Sequence, residues 1–222
     1  MEASRQTLVM ALAAALAALM AGVLLLHFQV GPVPTWFYVF AWYPTLVIMD
    51  VLVVRLGGKS LLARPSVLVP MLWWSAVIWF LFEAINFRLD DWYYVFLPAN
   101  RSERWMGVTA SFATVVPAIL LPERLLDRVG VGRRLFTTPL RRRDGELGWA
   151  FELGVVTLAA TFALPRYLHP LTWGAVWLIA EPLLYRTNPA ESLFGDMQRG
   201  EWGRVVRLLV AGLLAGLIWE AF

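Results

Sequence analysis

The sequence contains no cysteine, only two histidines (His27 and His169) and a single lysine, Lys59, in 222 residues. The first absence excludes disulfides, thiolate chemistry and cysteine-bound metals or clusters. The second leaves too few imidazoles for a multi-histidine metal or haem site, so neither a metal nor a cofactor is expected. Charge is scarce as well: 16% of the residues are Asp, Glu, Lys or Arg, while 59% are hydrophobic. A soluble globular chain carries about 45–50% apolar and about 25% charged residues. With thiols absent and imidazoles rare, carboxylates are the main groups left for acid–base chemistry.

What is present is gathered into blocks. Seven apolar stretches, 8–28, 36–54, 67–87, 105–121, 149–164, 171–185 and 205–222, approach the length of a bilayer-crossing helix, which is roughly 20 residues. Most of the 12 Trp fall at block ends, where indole favours the headgroup zone. The expectation is an all-α integral membrane protein with about seven transmembrane helices in one membrane domain, 1–222. The first block is read as a span, since its apolar run of about 20 residues exceeds the 7–15 of a secretory signal. Pro44, Pro117 and Pro182 lie inside blocks; membrane helices tolerate proline, so kinks are expected there. Ala14, Ala18 and Gly22, and likewise Gly212 and Gly216, are spaced as small-residue faces for close helix packing.

Fifteen of the 19 Lys and Arg fall at the N-terminus and in alternate loops, and four fall on the other side. The positive-inside rule places the N-terminus in the cytoplasm of a multi-pass protein of the inner or plasma membrane. The basic loop 122–148 is expected to stay inside. Leu125, Leu126 and Val129 have the spacing of a short amphipathic helix lying on the membrane. Arg141, Arg142 and Arg143 are expected to meet anionic lipid at that face. Clustered arginines in such a chain speak for lipid and orientation, and no nucleic-acid partner is expected.

The chain also echoes itself. Trp42 precedes Asp50 by eight residues, Arg55 follows by five, and Ser60-Leu61-Leu62 comes next. Trp173 precedes Glu181 by eight, Arg186 follows by five, and Ser192-Leu193-Phe194 comes next. The following block ends in Phe82-Glu83-Ala84 in one case and Trp219-Glu220-Ala221 in the other. This order predicts two parallel four-helix repeats, about 7–121 and 149–222, the second lacking its last helix and truncated.

Carboxylates inside a span cost about 2.5–3.5 kcal/mol at a helix centre, so each needs a reason. Glu83 and Glu220 are expected in the outer half of the bilayer, and Asp50 and Glu181 near its inner end. Around Glu83, Trp79 lies one turn below and Asn86 one turn above, with Arg88 and the aromatic run Trp92-Tyr93-Tyr94 following. The functional candidates are therefore Glu83, Asn86, Glu220, Trp79, Arg88, Asp50 and Glu181. For Asp50 and Glu181 a structural use weighs more, and five residues is poor same-face spacing to Arg55 and Arg186, so each is expected to pair elsewhere. Gly57-Gly58-Lys59-Ser60 lacks the upstream glycine and strand of a phosphate loop and is rejected as one.

Three functional classes fit these residues. One is a transporter or permease for a small molecule, with carboxylates at the repeat interface. The second is a non-catalytic structural subunit whose acids are internal ties to its own helices or to a membrane-protein partner or oligomer. The third is an intramembrane enzyme on a lipid or isoprenoid, using Glu83 as acid or base. The balance leans away from an enzyme.

Overall fold

Long apolar runs fold as helix in a bilayer, because every backbone N–H and C=O must find its partner within the segment. The computed structural model describes residues 4–95, 97–139 and 146–222, and every regular element among them is helical. The described elements are α1 (Arg5–His27), α2 (Val33–Arg55), α3 (Pro65–Leu89), α4 (Arg101–Phe112) and α5 (Val115–Arg128). They continue with α6 (Glu146–Ala163), α7 (Pro165–Leu168), α8 (Leu171–Thr187), α9 (Leu193–Gln198) and α10 (Gly203–Ala221).

Helices occupy all seven expected blocks. Among the described residues, four segments are long and apolar enough to cross a membrane: α1, α2, α3 and the stretch Arg101–Arg128 that holds α4 and α5. The apolar part of α6, Leu147–Ala163, is shorter. The Arg141-Arg142-Arg143 cluster lies outside the described residues. The separate surface helix expected after Pro122 is instead the end of α5, which runs through Pro122 to Arg128.

By its internal contacts the chain divides into two units, the first made of Met1–Leu81, Tyr94–Val131 and Arg207–Phe222. In this unit α1 packs along α2, and α2 also meets α4 and α5. Ser4 starts α1 by accepting the Thr7 amide at 3.1 Å. The packed face of α1 keeps Gly22 of the three expected small residues and turns the other two outward. Ala15 and Gly22 are buried while Ala14 and Ala18 are exposed, and a Cβ at Gly22 would sit 3.5 Å from Phe40 Cβ. In α10 the face is shifted by one residue: Ala211 and Ala215 are the fully buried small residues, and a Cβ on Gly212 or Gly216 would meet open space. Small-residue spacing gives a period and leaves the rotation of the helix open. The core of the unit gathers Trp42, Leu46, Leu61, Ala118, Leu121 and Ala215.

The prolines act unequally. α2 continues through Pro44, and its one non-helical residue is Trp36 (φ −119°, ψ 23°). The chain between α4 and α5 is interrupted at Ala113-Thr114, just upstream of Pro117. Proline has no N–H for the carbonyl four residues back, and its ring crowds that carbonyl. Here that carbonyl belongs to Ala113. Beside the break, the buried Ser75 hydroxyl of α3 donates to Phe112 O at 2.6 Å and accepts the Val116 amide at 3.0 Å. A serine thus stands in for a missing helical hydrogen bond, and both backbone groups find a partner.

The second unit comprises Phe82–Tyr93 and Gly132–Val206. α6 packs on α8, closely enough that a Cβ at Gly154 would fall 2.9 Å from Ala175 O. α8 continues through Pro182. Phe82 lies against Trp173 with centroids 4.2 Å apart, and Trp92 stacks on the same indole at 6.2 Å.

Candidate functional site

The expected inner-layer acids are both buried, at 6% exposure, and both close a turn. Asp50 accepts the Ser60 hydroxyl at 2.5 Å and the Leu61 amide at 2.7 Å. Ser60 Oγ accepts the Ala63 amide at 2.9 Å. In the second unit Glu181 accepts the Ser192 hydroxyl at 2.6 Å and the Phe194 amide at 3.0 Å. Ser192 caps α9, with its Oγ accepting the Gly195 amide at 3.3 Å. Each acid therefore meets the serine that follows its helix and a nearby backbone amide, and Arg55 and Arg186 are exposed. A carboxylate holding two donors from one turn fixes where that turn sits against its own helix.

Glu83 and Asn86 serve the C-terminal end of α3. Asn86 Oδ1 accepts the amides of Asp91 (3.0 Å) and Trp92 (3.3 Å), and its Nδ2 donates to Trp92 O at 2.7 Å. This wraps the chain around one side chain, helped by Asp90 in the left-handed region at φ 53°. Trp92 Nε1 then donates to Glu83 Oε1 at 3.0 Å, and Asp91 approaches His169 at 3.4 Å. Arg88 and Glu220 are exposed. Of the expected candidates, the structure brings together Glu83 with Asn86 through Trp92.

Trp79 belongs to a different place. In the first unit it lines a cavity of about 370 Å³ together with Trp36, Tyr38, Tyr94, Phe112 and Trp219. The rings hold one another: Tyr38 stacks on Trp219 at 6.4 Å, and Trp79 lies 6.0 Å from both Trp219 and Phe112. Trp79 Nε1 donates to the Tyr94 hydroxyl at 3.3 Å. Trp36 owes its position to the non-helical turn of α2 and to Gly107, where a Cβ would fall 2.1 Å from the indole. Its Nε1 donates to Glu103 at 3.1 Å. The buried Nε1 atoms of Trp219 and of Trp42 behind it have no hydrogen-bond partner among the described residues. Such a space suits a small, mainly apolar molecule, since ligand pockets of about 300–1,000 Å³ are typically apolar with a few placed donors.

Sequence reasoning named only Trp79 among these ring residues as a candidate. A usable signal was the Tyr38 and Trp42 pair at helical spacing. Among the described residues no three His, Asp or Glu side chains gather as a metal site. No family model, curated protein or solved structure matches this chain.

Proposed function

We propose that this chain is a multi-pass membrane protein that takes up a small, mainly apolar molecule in the aromatic cavity and acts as a carrier for it. The cavity carries the reading: six aromatic rings surround about 370 Å³ of space. In this reading all seven blocks cross the bilayer with the N-terminus in the cytoplasm, as the distribution of Arg supports. The matching Asp50–Ser60 and Glu181–Ser192 turns support the view that the two halves are parallel repeats. Asp50 and Glu181 then position turns and take no part in substrate contact.

The test is photolabelling of the full chain in vesicles with a diazirine-bearing medium-chain alcohol, adducts being mapped by mass spectrometry. Saturable adducts are expected on Tyr94, Trp79 and Phe112, and Ser111→Trp, which fills the cavity, should abolish them. Labelling that never saturates, or that survives the filled cavity, would instead favour a structural subunit. That second reading draws on the buried acids, both used internally.

A further inference from the structure

A second cavity in the first unit has the opposite chemistry. It measures about 540 Å³ and is lined by Lys59, Arg124, Arg128 and Arg207 against Glu123 and Asp127. Four cations face two carboxylates, and the two carboxylates are both engaged by one cation. Arg207 Nε meets Glu123 Oε1 at 2.7 Å, and its Nη1 lies 3.5 Å from Asp127 Oδ1. Arg124 donates to Lys59 O at 3.3 Å. Neither Lys59 nor Arg128 has a carboxylate within ion-pair distance among the described residues.

The turn beneath these groups keeps the space open. Gly57 adopts φ +80°, and a Cβ at Gly58 would lie 2.5 Å from Val53 Cγ1 and 3.3 Å from Arg128 Nε. Arg128 is thus held directly over a bare glycine turn, with Lys59 on the next residue. The ends of α2 and α5 are both C-terminal here, and helix C-termini attract a cation. That attraction explains one basic residue per end and leaves the surplus unexplained.

We propose that this cavity is an anion site for a phosphate group, gripped by Arg128 and Lys59, with Arg124 available beside them and Arg207 holding the floor through Glu123 and Asp127. A guanidinium offers a fork of donors to phosphate oxygens, and an ammonium adds a point charge. The same chemistry admits a phospholipid headgroup or a soluble phosphate. Basic pockets between membrane helices are a known home for the first.

The experiment uses the full chain in phosphatidylcholine nanodiscs, with phosphatidic acid added or with inorganic phosphate titrated in. Retained phosphatidic acid is counted by native mass spectrometry, and phosphate binding is read from the shift in thermal unfolding. Wild type is compared with Lys59→Gln, Arg128→Gln, the charge-keeping Arg128→Lys, and Arg55→Gln as an exposed cation outside the cavity. Each Gln variant in the cavity should weaken binding roughly fivefold, Arg128→Lys should recover most of it, and Arg55→Gln should match wild type. A response confined to phosphatidic acid identifies a headgroup site, and a response to inorganic phosphate in neutral nanodiscs identifies a soluble ligand. Equal losses in Arg55→Gln, or no difference between wild type and the cavity variants, would overturn the proposal. Lys59 and Arg128 are exposed, so the variants should insert and fold, which their circular dichroism checks.

Discussion

The hydroxyl of Ser60 donates to the Asp50 carboxylate across 2.5 Å, at a site where the acid is 6% exposed. Hydrogen bonds to a charged group contribute about 1.5–3 kcal/mol, and removing one partner leaves the other unsatisfied. Asp50→Asn keeps the shape but turns one accepting oxygen into a donor facing Ser60 or Leu61. It should lower stability by about 2–3 kcal/mol, read from the midpoint of unfolding in mixed micelles. Glu181→Gln should cost a similar amount, because Ser192 and Phe194 donate to it in the same way. A change below about 0.5 kcal/mol, typical of surface substitutions, would show that these turns hold without their acids.

Glu83 makes a different prediction, since its indole partner needs only an acceptor. Glu83→Gln retains Oε1 for the Trp92 N–H, so the loop after α3 should keep its resistance to proteolysis. Trp92→Phe removes the donor and weakens the stack on Trp173. It should destabilise the protein by about 1–2 kcal/mol, with faster cleavage within 88–95. Faster cleavage in Glu83→Gln as well would mean that the charge, and not the acceptor, holds the loop.

Gly107 is the tightest packing constraint on the aromatic cavity. A Cβ there overlaps the Trp36 ring, with three ring atoms within 2.4 Å. Overpacking of this kind costs about 1–3 kcal/mol, and the indole must swing away from Glu103. Gly107→Ala should therefore lower the unfolding midpoint and shift tryptophan emission. Trp36→Ala introduced together with Gly107→Ala should remove the steric part of the loss. Equal midpoints for Gly107→Ala and wild type would place the ring elsewhere.

Much of this architecture was legible from composition, because apolar runs of bilayer length have one folding solution and helices occupy every expected block. The Ser-Leu turns after Asp50 and Glu181 were visible too, as were acids that would not meet the arginines five residues on. Other features depend on rotation or on distance in sequence. Periodicity gave the small faces of α1 and α10 but not which of two adjacent residues points inward. The effect of Pro117 falls upstream, on the carbonyl it cannot bond, so the break sits at Ala113-Thr114. Tryptophans were read as an interfacial belt, yet Trp42 is fully buried and Trp219 closes a cavity with Trp36 and Trp79. A count of indoles does not tell a belt from a cage; only the fold brings residues 36, 79 and 219 to one place.

Asp196 gives a prediction in pH. It accepts from Arg199 and pairs with Arg204 at 3.4 Å, yet it is 6% exposed. Burial raises its carboxyl above the usual carboxylate range, and the two arginines offset this only in part, with Glu201 adding to the rise. A carboxyl with a folded value above its unfolded one binds its proton more tightly in the native state. Between those two values the native protein holds more protons than the unfolded chain, so stability falls as pH rises through the window. Other carboxylates titrate over the same range, and the difference between wild type and Asp196→Asn isolates this one. Wild-type stability relative to the variant should be highest at the acid end of the window and decline as pH climbs through the folded value, in unfolding curves taken at a series of pH values. A relative stability that instead rises with pH would mean that Arg199 and Arg204 outweigh burial, and that Asp196 is held charged.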